Sequence, residues 1–273
     1  MHSENYLTSF LVTPALDVAC FEKIQNYHAD CYVVDLEDSV PENKKNNGRE
    51  LARHLFNSNE SKVNSIRINS IRTQDGIKDI LLLLDLVRMP EIIMVPMIES
   101  SGDINLLKSI LSASSQIPKI FSVIETPSGL INIKDIARSS NGLIFGSADF
   151  AAAMGTEISS ESSRYARTIL TTTASAFGIP AFDSPCFNLT EQEELIVECQ
   201  YAKEIGFHGK IAIHPSQLDV INKLFSPSLK QTEWAQKIVA SFNKSEKNIE
   251  KLDGKMIGPP FLKLAKKILL ANR

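Results

Sequence analysis

The sequence predicts an α/β fold, a closed (β/α)8 TIM barrel with a C-terminal helical extension, from three observations. Apolar runs stop abruptly on polar or charged residues: CYVVDLED (residues 31–38), SIRIN (65–69), IIMVPMIE (92–99), IFSVIET (120–126) and GLIFGSADF (142–150). A β-rich segment that stays apolar until its last positions suits a parallel strand buried on both faces by helices. Such runs alternate eight times with segments of helical length and period. No G-x-G-x-x-G follows the first of them, which weakens an open dinucleotide-binding sheet as the alternative.

The first strand is expected at residues 10–13, ahead of Pro14, and the second at 32–36, ending in the acidic Asp35-Leu36-Glu37-Asp38. A helix over 42–56 leads to strand 65–69, and a helix over 76–87 to strand 92–97. The helix over 102–112 places Asp103, Ile104, Leu107, Ile110 and Leu111 at helical spacing, with the apolar residues on one face. Strand 120–125, helix 130–139 and strand 143–146 follow. A helix over 161–177, strand 179–182, a helix over 191–205 and strand 210–214 complete the series. Helices are expected again at 232–244 and 260–271, joined by the polar NKSEKNIEKLDGK (243–255), which reads as a solvated, mobile loop. The predicted division is a barrel over residues 1–227 and a helical extension over 228–273 that packs on a neighbouring subunit.

The length of 273 residues fits one barrel domain. With 43% hydrophobic and 22% charged residues and a net charge of −3, the chain has the make-up of a globular protein. It offers no basic patch for nucleic acid. The first residues lack a basic stretch followed by an apolar one, and no apolar run is long enough to cross a bilayer. A cytoplasmic protein without a membrane partner is expected, its four cysteines buried and reduced.

Active sites of such barrels gather at the carboxyl ends of the strands, so Asp35, Glu37, Asp38, Arg67, Glu99, Glu125 and Asp149 are expected to face one pocket. Glu125 and Asp149 end consecutive strands, about 4.8 Å apart. Hard oxygen ligands on neighbouring strands suit Mg²⁺, which keeps positions open for water and substrate. Period two points Asp35 and Glu37 the same way, and Arg67 on the next strand is the cation that would pair with them or grip a carboxylate at two points. Lys44, Lys45 and Arg49, just beyond the acidic cluster, either meet phosphate groups or face water. His214, before Pro215, is expected to support structure, and Trp234 and the phenylalanines to pack.

Taken together, VVDLEDSVPENKKNNGR (33–49), IRINSIRTQDG (66–76), MVPMIES (94–100), IETPSGLINIKDIA (124–137), LIFGSADFAAAMG (143–155) and GFHGKIAIHPSQLDVINKLFSP (206–227) resemble the citrate lyase β-subunit-like family. That family lies within the HpcH/HpaI-type aldolase group of the phosphoenolpyruvate/pyruvate superfamily. The resemblance spans nearly the whole chain. It implies a homotrimeric or homohexameric, Mg²⁺-dependent carbon–carbon lyase or aldolase, acting on a small 2-oxo or hydroxy acid, including its coenzyme A thioester. It assigns Glu125 and Asp149 to the metal, and Arg67 with Gly146, Ser147 and Ala148 to the substrate. Glu37, Asp38 and Arg67 become the catalytic groups, and Lys45 and Arg49 bind coenzyme A. A free 2-oxo-acid aldolase without coenzyme A, or a catalytically silent metal-binding subunit of a larger complex, are the alternatives.

Four places depart from the family pattern. Thr8-Ser9 and Pro14-Ala15 replace an arginine-serine pair and a proline-glycine turn, Met97 replaces a common lysine, and Gly258 replaces an aspartate that serves as acid or base. These changes point away from citryl-coenzyme A as substrate and from thioester hydrolysis.

Overall fold

A computed structural model describes residues 7–58, 61–112, 114, 116–243, 249–252 and 254–271. The chain forms two compact units, one over Thr8–Asn222 and the other built chiefly from Lys223–Arg273.

The first unit is a closed ring of eight parallel strands in sequence order: β1 (Ser9–Pro14), β2 (Cys31–Asp35), β3 (Ser65–Arg67), β4 (Ile92–Val95), β5 (Lys119–Ile124), β6 (Gly142–Phe145), β7 (Ala181–Asp183) and β8 (Gly209–Ala212). Ser9 opposite Lys210 closes the ring. The connecting helices are α1 (Val18–Ile24), α2 (Lys45–Asn57), α3 (Gln74–Leu84), α4 (Ser101–Leu111), α5 (Pro127–Ile131), α6 (Ile133–Ser139), α7 (Ser147–Met154), α8 (Ser160–Phe177) and α9 (Gln192–Glu204). All eight expected strands are present, most of them ending before the residues expected to close them. The last ladder bonds, such as Gly146 N–H to the Ile124 carbonyl at 3.0 Å, leave Asn69, Glu125 and Gly146 in the loops at the barrel mouth.

The inside of the barrel is filled by aromatic rings. Phe10 of β1 lies 5.7 Å from Phe121 of β5 and 4.6 Å from Phe182 of β7, centroid to centroid. Strands β1 and β5 are diametrically opposed, so their rings can meet only through the interior. Gly142 makes room for this packing, because a Cβ there would stand 2.8 Å from the Phe121 ring.

Several local expectations are corrected. The helix expected over 130–139 is two helices, α5 and α6, broken at Asn132. Helix α1 was not expected; Asp17 caps it by accepting the Ala19 N–H at 2.9 Å. Cys20 is exposed, while Cys31, Cys186 and Cys199 are buried, and all four are free.

The second unit holds the end of α10 (Leu218–Phe225), then α11 (Leu229–Asn243), β9 (Glu250–Leu252), β10 (Lys255–Ile257) and α12 (Pro259–Ala271). Buried Ala235, Ile238, Ile257 and Ala265 form its core, with Trp234 packed against them as expected. Where a polar loop was expected, β9 and β10 pair antiparallel. Residues 244–248 and 253 of that segment, and residues 1–6 of the N-terminus, lie outside the described residues. Among the described residues, no helix is long and apolar enough to cross a membrane.

Candidate active site at the barrel mouth

Register brings Asp35, the last residue of β2, beside Arg67, the last of β3. The Arg67 guanidinium donates from Nε and Nη2 to the two Asp35 oxygens, each at 2.7 Å. Asp35 also accepts the Glu37 N–H at 3.0 Å and the Ser39 hydroxyl. Burial would raise this carboxyl; Arg67 outweighs it and holds it below the usual carboxylate range. The third guanidinium nitrogen, Nη1, lies 2.8 Å from Glu37 Oε2. Asp35 therefore fixes the fork of Arg67, whose side chain stays partly open to solvent.

Glu125, just beyond β5, is buried, and its Oε1 accepts the Met97 N–H at 2.6 Å. Gly146 lies against its other side, since a Cβ at that position would stand 2.6 Å from both Glu125 Cβ and Oε2. Only glycine fits there. Asp149 sits in the first turn of α7 rather than in a strand-end loop, a correction to the sequence reading. The helix was missed because its N-cap is Gly146, which provides no capping side chain. The N–H groups of Ser147 and Ala148 belong to that first turn and have no partner within the helix.

These carboxylates share a field. Burial pushes Glu37 up to about 9: Arg67, already committed to Asp35, cannot offset that cost, and Glu125, Asp38 and Asp35 add to the rise. Glu125 is pushed up to about 7, mainly by burial, with Asp149 and Asp38 contributing. Asp149 is raised too, by partial loss of solvent around its carboxyl and then by Asp38. Glu37, Asp38, Glu125 and Asp149 thus act on one another's charge around a single guanidinium, and the buried Glu37 Oε2 has no aligned hydrogen bond. Hard oxygen donors with uncompensated negative charge fit a small divalent cation such as Mg²⁺, with Glu125 and Asp149 able to hold it.

Lys45 and Arg49 are not available to phosphates, which corrects the expectation placed on them. Both are buried. Lys45 Nζ donates to the Leu36 carbonyl at 2.8 Å, the Glu37 carbonyl at 2.9 Å and Asn69 Oδ1 at 2.6 Å. Asn69 donates its N–H and its Nδ2 to Asp79 Oδ2, each at 2.7 Å, and Arg49 Nε donates to Asp79 Oδ1 at 2.7 Å. This network of α2, α3 and the β3 loop holds the backbone that carries Glu37. Lys44 is exposed. Glu99 also departs from expectation: it pairs with Arg72 at 2.8 Å and accepts the Thr126 hydroxyl at 3.0 Å, bracing loops. His214 supports structure as expected, capping the turn Pro215–Gln217.

A second acidic group lies in the helix layer, where Cys186, Glu194 and Glu198 bring ligand atoms within 4.8 Å of one another. Its cation is built in, because Lys210 Nζ lies 2.8 Å from Glu198 and 2.8 Å from Asp183.

The family model described as HpcH/HpaI aldolase/citrate lyase matches residues 9–215. The chain is 29% identical over 283 residues to a mitochondrial citramalyl-CoA lyase of Rattus norvegicus, covering 95% of this chain and 84% of that one. It is 29% identical over 285 residues to citrate lyase subunit beta of Haemophilus influenzae, covering 96% and 95%. Among solved structures, CitE from Mycobacterium tuberculosis in complex with magnesium, acetoacetate and coenzyme A superposes with a TM-score of 0.82 at 28% identity, over 98% of each chain.

Proposed function

The chain belongs to the HpcH/HpaI aldolase/citrate lyase family, and from that premise we propose that it is a Mg²⁺-dependent carbon–carbon lyase cleaving the coenzyme A thioester of a small hydroxy acid. The observation that supports this most is the convergence of Glu125 and Asp149 with Arg67, its fork locked by Asp35, at one barrel mouth.

In this reading Glu125 and Asp149 hold the cation. Bound Mg²⁺ would supply Lewis-acid stabilisation of the oxygen that gains negative charge as the bond cleaves. Arg67 binds the substrate carboxylate or carbonyl oxygen and adds a second positive charge there. The N–H groups of Ser147 and Ala148 orient the substrate carboxylate at the positive end of α7. Cleavage takes the proton from the hydroxyl, forms a carbonyl and leaves the bonding pair on the carbon next to the thioester, which then takes up a proton. With glycine at position 258, those transfers fall to Glu37, Asp38 or water. Burial holds Glu37 above the usual carboxylate range, which favours the protonated form that can donate.

A free-acid aldolase is the second reading, favoured by one observation: Lys45 and Arg49, the cations placed to meet coenzyme A phosphates, are consumed inside the protein. A homotrimer or homohexamer, with residues 228–273 packed on a neighbour, belongs to the same proposal and is supported by exposed Phe261, Leu264 and Leu270 on α12. A cytoplasmic location is supported by four free cysteines.

Incubation with citramalyl-CoA and with free citramalate, with pyruvate release followed, tests the proposal. Mg²⁺-dependent release from the thioester alone is expected. Pyruvate from the free acid alone establishes the second reading, and no pyruvate from either, together with no oxaloacetate from citryl-CoA, contradicts an active lyase.

A further inference from the structure

We infer that Met97 is a positioning residue whose left-handed backbone, rather than its side chain, sets the direction in which Glu125 presents its carboxylate. This rests on the reading of Glu125 as a metal ligand. Strand β4 ends at Val95 because Pro96 has no N–H to continue the ladder. The next residue then takes φ 53°, the one positive φ at a non-glycine among the described residues. A methionine gains nothing from that conformation; glycine or asparagine would adopt it with less strain. Such strain persists where the surroundings over-determine the backbone, and it clusters at functional sites.

The side chain does not impose the turn, since Met97 is 40% exposed. The backbone N–H has the visible consequence, reaching Glu125 Oε1 at 2.6 Å. Gly146 confines the same carboxylate from the opposite side, its missing Cβ leaving room for Glu125 Oε2. One oxygen is thus committed to the protein, and the carboxylate is left a single way to face an ion. A donor that orients a ligand in this manner typically changes metal affinity by about 10–100-fold when it is lost.

The test is Mg²⁺ titration by calorimetry on the full chain and on Met97→Gly, Met97→Val and Met97→Thr, with circular dichroism to verify folding. Glycine deletes the side chain and tolerates positive φ, so Met97→Gly should bind within about twofold of the parent. Valine rejects the left-handed region, so Met97→Val should bind at least about tenfold more weakly. Equal binding by a folded Met97→Val, or a tenfold loss in Met97→Gly, overturns the positioning role. If valine prevents folding, Met97→Thr, β-branched and smaller, takes its place under the same criteria. Failure of the parent chain to bind Mg²⁺ overturns the proposed function itself, an outcome distinct from either variant result.

Discussion

Asp149→Ala is expected to abolish Mg²⁺ binding and to lower kcat by about 10²–10³-fold or more, the scale on which loss of one stabilising contact to developing charge is felt. The fold should be unaffected. Asp149 is exposed, and it makes no ion pair among the described residues. Its removal also takes one negative charge from a group in which Glu125 is already pushed up to about 7. The acid contributes to α7 only what a first-turn carboxylate gives a helix, about 0.3–1 kcal/mol. Steady-state kinetics, calorimetry with Mg²⁺ and a thermal melt decide the matter together. Unchanged turnover in a folded variant removes Asp149 from the mechanism.

The largest loss of stability is expected at Asp79, which lies on α3 and is wholly buried. Both of its carboxylate oxygens are used, one by Arg49 and one by Asn69. Asp79→Ala leaves Arg49 Nε and the Asn69 N–H without acceptors inside the protein, while Arg49 keeps Asp75 and Asn46 and Asn69 Nδ2 keeps the Leu36 carbonyl, so the cost falls at the lower end for a broken buried pair, about 3 kcal/mol. For a chain of this size, that corresponds to a Tm lower by roughly 10 °C. By contrast, Arg72→Ala, which breaks the exposed bridges to Glu99 and Asp103, should cost under about 1 kcal/mol. Denaturant unfolding of the two variants separates the cases. A loss at Asp79 no larger than that at Arg72 would show that the buried network does not hold the acidic loop in place.

The barrel was legible because parallel strands covered on both faces must be apolar until they reach solvent, so Asp35, Arg67 and Glu125 mark strand ends directly. The roles of Lys45 and Arg49 were misread because charge alone does not say which way a side chain faces. Helical spacing could have corrected this: Lys45, Gly48, Arg49, Ala52, Leu55 and Phe56 recur on one buried face of α2. Asp79 carried a similar mark, an acid beside the buried Ile80, Leu82 and Leu83 of α3. Helix α7 was hidden by its glycine cap. The left-handed turn at Met97 left no trace, since methionine has no preference that would announce it; tertiary packing alone puts it there.

In the proposed function, the barrel mouth holds one divalent cation between Glu125 and Asp149, in position for an anionic substrate. Crystals grown with Mn²⁺ in place of Mg²⁺ and soaked with oxaloacetate test it most directly, through the anomalous signal of the metal. The expected result is one peak with a Glu125 and an Asp149 oxygen at about 2.1 Å, the distance of a Mg²⁺-type octahedral site, and the 2-oxo acid completing its coordination. A peak elsewhere, or none with oxaloacetate bound, would contradict it.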